Sequence, residues 1–99
     1  MHFFMDSLPF SETLEGETHI RTFSADVDPS ELKWHQDGED RIVEATHESD
    51  WMYQADNELP RRFKDRILIR KGEWHRVIKG TGDLTLRVTK LPGDPLPVV

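Results

Sequence analysis

Leu84-Thr85-Leu86-Arg87-Val88-Thr89 decides the fold class. Two leucines and a valine alternate with threonine, arginine and threonine. That period of two belongs to a β-strand with one face on a core and one toward solvent. Reading backward, Lys79-Gly80-Thr81-Gly82-Asp83 is a turn with two glycines, and Gly72 opens a turn into a strand Trp74-His75-Arg76-Val77-Ile78. Ile67-Leu68-Ile69 is a short apolar strand, and Trp51-Met52-Tyr53-Gln54 is a strand by its aromatic content. Polar runs separate them: Thr46-His47-Glu48-Ser49-Asp50 and Asp56-Asn57-Glu58-Leu59-Pro60. Further back, strands are expected near Leu32–His35 and Arg41–Ala45, with Gly38 marking a bend or bulge between them. Asp28-Pro29-Ser30-Glu31 is a turn with room for one helical turn, and residues 19–24 form another short strand. Many short strands separated by turn signals predict an all-β sandwich or barrel.

The chain has 99 residues, which fits one domain with a small core that oligomerisation would help to cover. Residues 1–18 are expected to be an irregular arm, pinned by Phe3, Phe4 and Phe10 to the body or to a partner subunit. Residues 19–91 are the domain body, and 92–99 a Pro-rich, extended tail. Nineteen acidic residues against thirteen basic ones set a formal charge of −6, which argues against a nucleic-acid-coating role. Cysteine is absent, so disulfides, thiolate metal sites and thiol nucleophiles are excluded, and any metal must use His, Asp or Glu. No apolar run is long enough to span a membrane. The first residues have neither a basic segment nor a long apolar one, so a cytoplasmic protein is the expectation.

Chemistry concentrates in two places. Trp34-His35-Gln36-Asp37 carries a histidine and a carboxylate two residues apart, on one face if the segment is extended. Gly72-Glu73-Trp74-His75 carries a second histidine. If the two strands pack together, His35, Asp37 and His75 form a 2-His-1-carboxylate face. Such a face suits non-haem Fe(II), or Mn, Ni, Co or Zn, with other coordination positions open. Taken separately, His-x-Asp is a common polar triplet and His75 an ordinary surface histidine. Each ligand histidine would need an outer partner to fix its tautomer, and Glu39, Asp40 and Glu73 are near enough in sequence.

Arg41 shares the parity of His35 and Asp37. It either points inward to fix a substrate carboxylate or phosphate, or joins Glu39 and Asp40 in an ion-pair cluster on the rim. Trp34 and Trp74 each precede a candidate ligand and should face away from it, toward core or a subunit interface. Trp51 and Tyr53 belong either to the core or to a pocket mouth. Arg87 sits between the apolar positions of its strand and should point outward; a co-substrate-holding role is the alternative. Arg61-Arg62-Phe63-Lys64-Asp65-Arg66 is either a solvated loop or an anion-binding rim. His2, His19 and His47 lack a partner pattern.

The spacing resembles that of the cupins, small jelly-roll barrels with a metal in the mouth. Their first block runs from a glycine through His-x-His to a glutamate and a glycine. Their second runs from a glycine through Pro-x-Gly to a histidine and an asparagine. Here His35-Gln36-Asp37 stands at His-x-His, while Gly72 and His75 match the second block. Asp37 replaces the second histidine, Arg41 falls at the glutamate, Arg70 at the proline and Lys79 at the asparagine. The resemblance covers roughly residues 20–90 and implies a jelly roll. The usual three-histidine-plus-glutamate set is missing, which leaves His35, Asp37 and His75.

Three functions follow as expectations. The leading one is a mononuclear metalloenzyme, most plausibly a non-haem iron oxygenase acting on a small anionic substrate oriented by Arg41. The second is a non-catalytic cupin holding a small anionic or sugar-like ligand through Arg41, Tyr53 and Trp51. The third is a structural module whose arm and tail mediate assembly. A homodimer is the expected assembly.

Overall fold

The computed structural model describes residues 8–92. Eight strands occur among them: β1 (Ser11–Glu15), β2 (Thr18–Phe23), β3 (Arg41–Ala45), β4 (Met52–Ala55), β5 (Arg61–Arg62), β6 (Ile67–Ile69), β7 (His75–Ile78) and β8 (Leu84–Lys90). They build two antiparallel sheets, one in the order β1-β2-β8-β3-β6 and one in the order β5-β4-β7. The fold is all-β and jelly-roll-like.

Alternation explains the packing. In β8, Leu84, Leu86 and Val88 are buried while Arg87 is exposed, and β6 buries Ile67 and Ile69 on either side of exposed Leu68. The second sheet answers with Tyr53 and Ala55 of β4, and Trp51 just ahead of it is wholly buried. The Trp51 Nε1–H donates to the Gly82 carbonyl at 3.0 Å, so its one polar atom is satisfied inside the core. Phe10, Phe23 and Trp51 stack in series, with centroids 5.3 and 5.7 Å apart.

Three stretches depart from the sequence reading. Residues 11–15, expected within an irregular arm, form β1 and pair with β2 through a tight turn at Gly16. All five β1 residues are exposed, so no buried apolar period announces the strand. It is held by its main-chain ladder and by Glu12, which accepts from Arg21 Nε at 2.9 Å and pairs with His19 Nδ1 at 2.8 Å. Phe10 packs on Phe23 as expected of the arm; Phe3, Phe4 and residues 93–99 of the expected tail lie outside the described residues.

Secondly, Leu32–His35 is not a strand. A 3-10 turn, Pro29–Glu31, precedes it, with Asp28 capping through a 2.9 Å bond from the Ser30 N–H. The chain then runs irregularly to a single bridge at His35. Thirdly, Arg61–Arg62 is a short strand paired to β4, not a free loop, although both side chains stay exposed.

Gly80 lies against the start of the second sheet. A Cβ there would collide with Asp50 Oδ1 and come within 2.7 Å of the Trp51 nitrogen and 2.8 Å of the Asp50 carbonyl carbon. Gly38, by contrast, has open space around it. Gly80→Ala is therefore expected to lower unfolding free energy by about 1–3 kcal/mol, as overpacking does. Gly38→Ala should change it by less than about 0.5 kcal/mol. Urea denaturation of both variants checks this.

Candidate metal centre

The site is assembled by one backbone pairing. The His35 N–H donates to the His75 carbonyl at 3.0 Å and the His75 N–H returns a bond to the His35 carbonyl at 3.0 Å. Two residues bonded reciprocally across antiparallel chains present their side chains to the same face. The rings meet edge to face, with centroids 4.3 Å apart. Two residues on, the Asp37 carbonyl accepts from the Gly72 N–H at 3.0 Å, which brings the carboxylate to the same face. Gly72 has φ +79°, a left-handed conformation that favours glycine and lets Arg70–Glu73 turn back beneath Asp37. His75 is also anchored from the other side, because it opens β7 opposite Ala55 of β4.

The three side chains converge. One ligand atom from each of His35, Asp37 and His75 lies within 4.8 Å of the others. Asp37 Oδ2 is 3.3 Å from His75 Nε2, and Oδ1 is 3.8 Å from His35 Nε2. The Asp37 side chain is only 6% exposed. The His75 ring faces it without hydrogen-bond geometry, so Oδ2 is a buried acceptor with no hydrogen-bond partner among the described residues.

Tautomers follow from the outer contacts. Nδ1 of His35 lies 2.8 Å from the Lys33 carbonyl, and Nδ1 of His75 lies 2.7 Å from the Glu73 carbonyl. A carbonyl only accepts, so each Nδ1 carries the hydrogen and each neutral ring aims its Nε2 lone pair at Asp37. Two lone pairs and a carboxylate repel one another unless positive charge offsets them; the Arg41 guanidinium 3.4 Å from Oδ1 does so in part, and a proton on an imidazole or a metal ion among the three would complete it. This donor set can hold a metal ion. Of the expected outer partners only Glu73 serves, through its backbone; Lys33, which nothing in the sequence marked, supplies the other carbonyl. Asp40 instead accepts from the Lys71 N–H at 2.7 Å.

Arg41 opens β3 and turns inward. Its Nη1 is 3.4 Å from Asp37 Oδ1, while its Nε donates to Glu39. Arg41 therefore lines the cavity and is ion-paired to Glu39 at once, but the expected three-residue rim cluster does not form, since Asp40 bonds to Lys71 instead. Tyr53 is both core and cavity wall: it is 2% exposed and stacks 5.8 Å from the His75 ring. Trp51 is core alone and does not reach the cavity, so its expected ligand contact is withdrawn. Arg87 is exposed and lies 3.8 Å from Glu44, away from the site. Trp34 and Trp74 face away from the ligands, partly exposed, and Trp34 is covered by the Arg76 guanidinium at 4.8 Å.

The three groups stand in the wall of a cavity of about 300 Å³ between the sheets, within the range of small-molecule sites. Phe23, Val43, Ile69, Val77, Leu86 and Val88 provide most of the remaining wall.

Burial alone would raise the pKa of Asp37, but His75, Arg41 and His35 outweigh it and hold the carboxyl below its usual range. Burial would likewise depress His75, yet Asp37 and the Glu73 carbonyl outweigh it and raise its pKa. Burial pushes the Tyr53 hydroxyl up to about 12, so it stays protonated near neutrality.

No family model and no curated protein matches the chain. Among solved structures, the crystal structure of protein NMB1881 from Neisseria meningitidis is similar, with a TM-score of 0.54 and 15% sequence identity. The match covers 84% of this chain and 82% of that one. At this identity the likeness concerns the fold alone. Fold and site together define a jelly-roll-like protein with a two-histidine, one-carboxylate group in its cavity wall.

The raised His75 value means that, in the metal-free chain, its stabilising contribution is full below the ordinary imidazole pKa. It is lost as pH rises through the raised value. The lowered Asp37 value means a contribution present above the ordinary carboxylate pKa and lost as pH falls through the lowered one. The stability gap between wild type and Asp37→Asn should therefore be widest between those two ordinary values. An NMR titration should show the His75 pKa falling in the variant; an unchanged value would refute the pairing.

Proposed function

We propose that this chain is a metal-dependent cupin-type protein, a non-haem iron oxygenase acting on a small anionic substrate. The observation that carries the reading is the buried Asp37 carboxylate, its Oδ2 without a hydrogen bond, facing His75 through Oδ2 and His35 through Oδ1, with both imidazole Nδ1 atoms already committed to carbonyls. Two neutral nitrogens and one carboxylate on a single face suit Fe(II), with Mn, Ni, Co and Zn as alternatives. A bound ion of this kind supplies Lewis-acid chemistry or, as iron, dioxygen activation.

The chain's own residues do the rest. Arg41, anchored through Nε by Glu39, directs its Nη edge toward Asp37 and would orient an anionic group beside it. Tyr53, a protonated phenol in the cavity wall beside the His75 ring, would donate a hydrogen bond from its hydroxyl. The apolar wall and the burial of Asp37 and His75 shield one side of the group, while His35 stands half exposed at the cavity's edge. A cytoplasmic location and a homodimer belong to the same reading. The dimer is supported by the exposed Trp34, Trp74 and Leu68, and sedimentation velocity at one-chain mass would dismiss it.

The second reading is a non-catalytic small-ligand cupin. It is favoured by the Arg41 contact, since a guanidinium 3.4 Å from Asp37 competes with a metal for the same oxygen. Ligand binding that survives complete metal removal would select it.

Metal analysis of the tag-free protein separates the readings. Wild type is expected to hold one transition-metal equivalent, and His75→Ala to bind it about a hundredfold more weakly or not at all while keeping its fold. Failure of the wild type to take up Fe(II) anaerobically would sink the metal assignment.

A further inference from the structure

The cavity's size, lining and charge narrow what it takes. A dry apolar cavity of about 150 Å³ accommodates benzene, so one of about 300 Å³ has room for roughly twelve non-hydrogen atoms. That excludes nucleotides and oligosaccharides from complete burial.

Its polar lining is clustered. His35, His75 and Arg41 each stand within ion-pair distance of Asp37, and Arg21, Glu31 and Lys33 are the other charged groups, whereas Phe23, Val43, Ile69, Val77, Leu86 and Val88 have no side-chain polar atom to offer. A sugar or polyol of this size would bury several hydroxyls against that apolar wall with nothing to pair them. A ligand with one polar end and an apolar body leaves no such orphan.

Charge selects the polar end. Asp37 and Glu39 each contribute one negative charge and Arg41 one positive. A divalent ion adds two positive charges, so the loaded site carries a single net positive charge. A monoanion neutralises it; a phosphate dianion leaves an excess negative charge in a largely apolar cavity. The mouth does not change this balance. Arg21 is paired with Glu12 at 2.9 Å, and Glu31 and Lys33 are of opposite sign.

We propose that the cavity binds a compact monocarboxylic acid of about a dozen non-hydrogen atoms. Its carboxylate lies against Arg41 and the His35–Asp37–His75 group, and its apolar, aryl or alkyl body fills the space between the sheets. The charge balance rests on the metal reading above; the size and the clustering of the polar groups do not.

The test titrates full-length protein, loaded with Zn(II) and checked for metal content, with four probes by calorimetry. They are 4-phenylbutanoate, the neutral 4-phenylbutan-1-ol, the polar monoanion glucuronate and the dianion phenyl phosphate. The expected result is 4-phenylbutanoate binding at least about tenfold tighter than each of the others. Its phenyl protons should show intermolecular NOEs to methyls of Val43, Leu86 and Val88. Arg41→Met should weaken the acid at least about tenfold and leave the alcohol unchanged, which also reports that the variant is folded. Glucuronate or phenyl phosphate binding as tightly as the acid would overturn the proposal. So would no binding of the acid to metal-replete protein, and in that case the metal reading stands. If no metal is taken up, the metal reading falls, and the acid is titrated into the metal-free chain. Arg41-dependent binding with the same NOEs then upholds the substrate class, and its absence overturns it.

Discussion

The reciprocal backbone bond between His35 and His75 is the contact on which the site depends. His35 belongs to neither sheet; this single bridge, on the flank of β7, is what attaches it. Without the bridge the His35 ring would have no fixed relation to His75, whereas Asp37 and Asp40 would keep their own bonds to the Gly72 and Lys71 N–H groups. The pairing sets ring orientation on both sides at once, since bonded cross-strand partners share a face. The two Nδ1 carbonyl contacts then settle which nitrogen faces inward. Backbone geometry thus supplies the preorganisation that a metal centre in a small protein needs.

A buried carboxylate is the second constraint. Asp37 would be costly in so apolar a surrounding without compensating positive charge. Arg41 answers that need in part, and neutral imidazoles with inward Nε2 lone pairs do not, so Oδ2 keeps no hydrogen bond. The core around the site is otherwise orthodox: alternating strands, an aromatic series from Phe10 to Trp51, and an indole nitrogen satisfied by Gly82. Among the described residues, the local departure from good polar pairing coincides with the His35–Asp37–His75 cluster, the kind of place where an unsatisfied buried group is expected to serve function.

Strands with one buried face were legible because burial writes itself as alternation: β8 and β6 lie close to where the residue pattern put them. β1 was not, since it buries nothing and owes its existence to the neighbouring β2. The Leu32–His35 stretch misled for the opposite reason. Apolar and aromatic residues there suggested a ladder, but Leu32 packs on the core from an irregular path and Trp34 lies outside beneath Arg76. Trp51 and Tyr53, two residues apart, looked equivalent, yet only Tyr53 reaches the cavity, because Trp51 precedes β4 and turns toward Gly82.

By itself the sequence determined the β class, the single domain and the restriction of any metal site to His and carboxylate ligands. Periodicity and composition are local properties that no partner strand can alter. It also marked His35, Asp37 and His75 as candidates through their spacing. Tertiary structure alone decided that the three meet, that Arg41 is shared between Asp37 and Glu39, and that Lys33 and Glu73 orient the rings through their carbonyls. The first of these joins residues forty positions apart through main-chain pairing, which no side-chain pattern along the chain records; the others are short in sequence but depend on the turns that the pairing imposes.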